Sequence, residues 1–138
     1  MLRKIKEGKE LVYVVVGIAG MLGALLRYYV GVLLPTASFF GFPLGTLVVN
    51  FVGSFLLGWF ATWSARPSFP LWLKTGIATG LIGSFTTFST FSVDFLQLVQ
   101  HHAWKMAFLY VFLSMFGGLL CSWSGFRVAK QTTRKEAL

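Results

Sequence analysis

The chain has 138 residues, 56% of them hydrophobic and 17% aromatic but only 12% charged, with a mean hydropathy of +0.73. Soluble domains carry about a quarter charged residues, so this composition excludes a water-facing globule, and it lacks the polarity of a disordered chain. Six of the 16 charges fall in the first ten positions and five in the last twelve, leaving an apolar middle long enough for about four crossings of roughly 20 residues each.

The expected architecture is an all-α integral membrane protein, one four-helix transmembrane domain over residues 1–138 with basic tails at 1–10 and 127–138. Span one covers about 11–34 and is interrupted only by Arg27. It is too long for a signal-peptide core and has no convincing small-residue cleavage site, so it is read as a retained helix. A connector from Pro35 to Pro43, with a helix stop at each end, leads to span two at about 44–63, which is uncharged but carries Asn50. The loop Ser64–Pro70 precedes span three at about 71–99, which is longer than one crossing needs. After Gln100–Ala103, span four covers about 104–126. Trp59, Trp63, Trp72, Trp104 and Trp123 fall near span ends, as an interfacial aromatic belt requires. Gly76 and Gly80, Ser114, Gly118 and Ser122, and Gly53 and Gly58 supply the small residues by which helices pack closely in lipid.

With four spans, both termini and the 64–70 loop share one side. That side collects ten Lys and Arg residues, against Lys105 and, depending on its depth, Arg27 on the other. The bias predicts cytoplasmic termini in a multi-pass protein of the cell membrane. The net charge of +8 therefore reads as a topology signal and anionic-lipid contact, and nucleic acid is not expected as a partner.

Polar groups inside a bilayer are costly and point to function. The segment Gly83–Ser92 holds six hydroxyl residues in nine positions after a glycine, in the middle of span three. Either the hydroxyls bond back to carbonyls and bend a continuous helix, or the helix unwinds and exposes its carbonyls. The excess length favours unwinding. Phe85, Phe88 and Phe91 recur every three residues and would share one face of a continuous helix. Ring edges are electropositive and suit a small anion, whereas ring faces suit a cation. Asn50 offers two N–H donors without a formal charge, for an ion or for an interhelical hydrogen bond. Spans one, two and four hold no deep carboxylate, and Asp94 lies toward the end of span three, which disfavours a proton-coupled exporter. No membrane-embedded His or Lys base accompanies the hydroxyls, so catalysis is not expected. His101 and His102 fall in a loop, and the single cysteine, Cys121, excludes an intramolecular disulfide framework.

Three segments together resemble one family. Gly80-Leu-Ile-Gly83-Ser-Phe-Thr86-Thr87-Phe88-Ser89-Thr90-Phe91-Ser92 resembles the third-helix signature of the Fluc (CrcB-type) fluoride channels. Gly45-Thr-Leu-Val-Val-Asn50-Phe-Val-Gly53-Ser-Phe-Leu-Leu-Gly58 is similar to their second-helix motif, and Gly20-Met-Leu-Gly23-Ala-Leu-Leu-Arg27-Tyr to their first. Span four matches by position. The resemblance implies a passive fluoride channel, an antiparallel dimer with a pore on each side of its interface and a third helix broken near its middle. It implies that Asn50 donates to fluoride, that Phe88 and Phe91 present ring edges, and that Ser89, Tyr110 and Ser114 extend the polar path. Arg27 would sit in a vestibule, and the main-chain carbonyls of Gly83 and Thr86 would hold a structural sodium ion at the dimer centre. Ser84 stands where the family often has glycine, and Asp94 where it often has glutamate, which shortens a vestibule-side carboxylate. An antiparallel homodimer needs one sequence to insert both ways, and the strong Lys/Arg bias argues instead for pairing with an oppositely oriented homologue. A homodimer is the alternative. The competing functions are a small ion-coupled secondary transporter and a non-transporting membrane scaffold.

Overall fold

The computed structural model describes residues 2–34, 41–66 and 69–136, and most of the Pro35–Pro43 connector, with residues 67 and 68, lies outside them. Four helical spans run in alternating directions. Helix α1 (Leu2–Leu33) leads to α2 (Leu44–Trp63). The third span is built in pieces: α3 (Leu71–Thr75), a π-helical stretch (Gly76–Ile82), α4 (Gly83–Phe85) and α5 (Ser89–Gln100). Helix α6 (Trp104–Glu136) closes the bundle. Among the described residues there is no strand. Glu10–Leu33, Leu44–Trp63 and Trp104–Thr133 are each long and apolar enough to cross a membrane, and the interrupted third span supplies the fourth helical layer. Residues 2–10 and 127–136, within the basic segments, continue α1 and α6 as helix.

Two glycine seams hold the spans together. Gly117 packs on Phe51, Gly58 on the Ser122 backbone and Gly125 on Phe55 and Trp59, so α2 and α6 lie parallel and nearly touch at the main chain. Gly80 meets Val16 and Ala19, while Gly23 meets Leu81 and Phe85, which sets α1 parallel to the third span. Lipid gives no hydrophobic force between helices, so such close approach, with the dispersion contacts it permits, is what joins them. Contacts between α2 and the third span run the opposite way, Thr46 with Asp94 and Gly53 with Thr86. The start of α1, the end of α2, the start of α3 and the end of α6 therefore share one end of the bundle. Trp59 and Trp63 stack there at 5.5 Å, with Phe69 edge-on to Trp63 at 5.0 Å. Arg127 lies 4.6 Å from the Trp123 ring centre, a geometry that anchors a snorkelling cation at an interface.

The buried cluster lies toward the opposite end of the bundle. Leu47 on α2, Leu98 on α5, and Ala107 and Tyr110 on α6 form its centre, with Phe42, Phe51 and Phe91 packed around it. It fixes α5 against α2 and α6, and so holds the far side of the break in the third span.

Candidate functional site

The helical phase is lost where α4 ends. Thr86 is extended, with φ −73° and ψ 158°, and helix resumes at Ser89. An α-helix bonds each N–H to the carbonyl four residues back, which would pair Thr87 N–H with Gly83 and Thr90 N–H with Thr86. Both donors turn elsewhere. Thr87 N–H donates to Asn50 Oδ1 at 2.9 Å, and Asn50 Nδ2 donates to the Thr87 carbonyl, also at 2.9 Å. Thr90 N–H donates to Thr87 Oγ1 at 3.1 Å, capping the start of α5. The Thr87 hydroxyl in turn donates to Thr90 Oγ1 at 3.0 Å and lies 3.3 Å from Ser89 Oγ. The Thr86 hydroxyl donates to the carbonyls of Ile82 and Gly83, each at 3.2 Å. The unwound backbone is thus satisfied largely by side chains, as burial at membrane depth demands. Gly53 lets α2 approach the break, because a Cβ there would collide with the Thr86 methyl.

A cleft of about 400 Å³ opens beside the break, lined by Asn50, Ser54, Thr86, Thr87, Phe88, Phe91 and Ser114 among others. It contains no charged side chain. Its polar groups are amide and hydroxyl, and the Phe88 and Phe91 rings stack with centroids 5.7 Å apart. Phe88 is 79% exposed, so one wall of the cleft is open. A second cleft on the α1 side is lined by Arg27, Thr46, Thr87 and Thr90. Thr87 lines both.

Of the residues singled out from the sequence, Asn50, Phe88, Phe91 and Ser114 meet in the first cleft, with Thr86 at its edge. Arg27 lies in the second. Ser89 is exposed outside both linings, its hydroxyl beside that of Thr87. Gly83 is exposed, one short helix away from the cleft. Tyr110 is fully buried behind Phe91, with ring centroids 5.0 Å apart. Its hydroxyl donates to Asp94 Oδ2 at 3.3 Å, and the Thr46 hydroxyl donates to the same oxygen at 2.6 Å. Asp94, expected on the vestibule side, is 8% exposed and joins α2, α5 and α6. Two contributors escaped sequence reasoning as individuals. Thr87 was hidden among five neighbouring hydroxyl residues, although it alone carries the links to Asn50 and Thr90. Thr46 stands one helical turn before Asn50, and that spacing was the available signal. Among the described residues no group of three His, Cys, Asp or Glu side chains is placed to hold a metal.

A helical membrane protein with a side-chain-braced break in one span and an uncharged polar cleft beside it has the build of a channel or carrier for a small ion. Residues 14–126 match the family described as CrcB-like protein, Camphor Resistance (CrcB). The chain is 52% identical over 129 residues to the fluoride-specific ion channel FluC 2 of Geobacillus kaustophilus, covering 93% of this chain and 99% of that protein. It is 49% identical over 132 residues to FluC 1 of Bacillus cereus, covering 95% and 92%. It is also 44% identical over 124 residues to FluC of Oceanobacillus iheyensis, covering 88% and 94%. The chain belongs to the CrcB family.

Proposed function

We propose that the chain is a passive fluoride channel of the cell membrane and not an enzyme. The observation that carries this is the cleft at the break, where an amide, hydroxyls and two stacked phenyl rings converge without a charged group. Fluoride is small and strongly hydrated, so a pore must replace its water with donors while holding it weakly enough to release it. Neutral N–H and O–H donors and ring edges meet both conditions, whereas a buried lysine would trap the anion. The neutral acid HF enters cells and dissociates in a more alkaline cytoplasm. An uncoupled pore then suffices for the anion to leave down its gradient.

The open wall of the cleft supports a dimer in which a second subunit, inserted in the opposite orientation, completes each of two pores. The ten Lys and Arg residues gathered at one end of the bundle support cytoplasmic termini and a differently biased homologue as that subunit. The names FluC 1 and FluC 2 among the relatives fit organisms that carry two such chains. The carbonyls of Gly83 and Thr86 suit a sodium ion at the dimer centre, since both have lost their helical N–H donors, the Gly83 oxygen accepts from the Thr86 hydroxyl with a second lone pair to spare, and carbonyl oxygen is a hard ligand.

Reconstituted vesicles loaded with fluoride test the function, alone and with a second CrcB-family chain. The expected result is electrogenic efflux that speeds up when a potassium shunt relieves the membrane potential and ignores imposed proton or sodium gradients. Phe88→Ile, which removes ring edge and keeps bulk, should slow it. Efflux that tracks a proton or sodium gradient, or no efflux in either preparation, would overturn the reading.

A further inference from the structure

We propose that Asn50 is a positioning residue as well as a pore donor: its amide clamps the Thr87 main chain and thereby holds the third span unwound at residues 86–88. The amide spends Oδ1 on the Thr87 N–H and one Nδ2–H on the Thr87 carbonyl, both at 2.9 Å. A primary amide has two N–H groups and an acceptor oxygen. One N–H is left for the cleft, which Asn50 also lines. The clamp satisfies the two Thr87 main-chain groups that unwinding deprives of helical partners, a requirement at membrane depth. It leaves the Gly83 carbonyl without its helical donor and sets Thr87 so that its hydroxyl caps α5. An aspartate, serine or leucine at position 50 cannot reproduce both bonds at neutral pH. The break is therefore written jointly by the hydroxyl-rich segment and by a residue 37 positions earlier.

Only the pore-donor half rests on the proposed fluoride function, and the clamp is read separately. Full-length protein labelled with ¹⁵N-threonine reports amide hydrogen exchange at Thr87, its signal assigned by its loss in Thr87→Ser. Asn50→Leu, close in shape and without either bond, should accelerate exchange roughly tenfold or more. Asn50→Asp should do the same when ionised, because its second oxygen faces the Thr87 carbonyl. Its protonated acid, however, presents an acceptor and an O–H donor in the amide's places. Lowering the pH should therefore restore Thr87 protection in Asn50→Asp, relative to wild type at each pH, and not in Asn50→Leu. Arg27, Asp94 and Tyr110, the ionisable groups around the break on α1, α5 and α6, are common to all three proteins and cancel in the comparison. The acid spends its one O–H on the clamp, so fluoride flux should stay low even where protection returns. Thr87 exchange in Asn50→Leu indistinguishable from wild type overturns the clamp. Failure of wild-type vesicles to pass fluoride would leave the exchange result standing and remove only the pore-donor half.

Discussion

Replacing Gly58 by alanine tests whether the α2–α6 seam is limited by main chain rather than by side chains. A Cβ at Gly58 would run into the carbonyl oxygen, carbonyl carbon and Cα of Ser122. None of these is the end of a flexible side chain, so relief requires the two helices to separate. Overpacking costs about 1–3 kcal/mol, and a main-chain obstacle on a rigid partner helix places this case near ~3. Alanine returns up to about 1 kcal/mol in helix propensity. The net expectation is a loss of roughly 2 kcal/mol, about thirtyfold in the folded-to-unfolded ratio. Gly17→Ala is the matched control, because nothing lies within 4 Å of a Cβ there. The same propensity gain is then unopposed, and its stability should rise by up to about 1 kcal/mol. SDS titration of the protein in mixed micelles, followed by tryptophan fluorescence, measures both. Gly125 meets Phe55 and Trp59 across the same seam, so the Gly58→Ala, Gly125→Ala double variant should lose less than the sum. Equal stability of Gly58→Ala and Gly17→Ala would refute the reasoning, since the two differ only in what the added methyl meets.

Thr46→Val should cost about 1.5–3 kcal/mol because it removes the 2.6 Å bond to the buried Asp94 carboxylate. Tyr110→Phe loses a longer, 3.3 Å bond and keeps its ring against Phe91, so about 1 kcal/mol or less is expected, and equal losses in the same titration would contradict the geometry. Ser114→Ala should slow fluoride efflux without changing the unfolding midpoint, because it takes a hydroxyl from the cleft and leaves the helix intact; an unchanged efflux rate would remove Ser114 from the pore. Exchanging sodium for N-methylglucamine during purification should lower the dimer fraction measured by light scattering, and a fraction independent of sodium would dismiss the ion at Gly83 and Thr86.

The limits of α2 were legible because prolines stand at its approach and in the loop that follows, and an uninterrupted apolar run lies between. The interruption of the third span was legible too, since six hydroxyls in nine positions are a poor lipid-facing helix and the segment was longer than a crossing. Its internal form was less so. The every-third spacing of Phe85, Phe88 and Phe91 implies one aromatic face only if the helix continues. The extended Thr86 falls between the first two rings, so Phe88 and Phe91 stack while Phe85 turns toward Gly53. The π-helical turn at Gly76–Ile82 takes up part of the excess length, and nothing in a glycine-rich apolar stretch distinguishes it from ordinary α-helix. Pairings were least accessible of all. Thr46 meets Asp94 across 48 positions, so a carboxylate that looked like a vestibule group is a buried tie between helices. Of the two uses the sequence left open for Asn50, the interhelical bond is made, and the amide keeps one N–H beyond it at the cleft.

The length of α6 has a practical consequence. Its 33 residues extend about 50 Å at 1.5 Å each, against a hydrocarbon core of roughly 30 Å. Starting from Trp104 at one boundary, the remaining ~20 Å, nearly four helical turns, project from the other as one continuous helix to Glu136. A helical fusion partner joined there in phase would be carried at a fixed angle instead of on a swivel. For a 15.3 kDa protein, that helical handle supplies the asymmetric mass that particle alignment in electron microscopy requires.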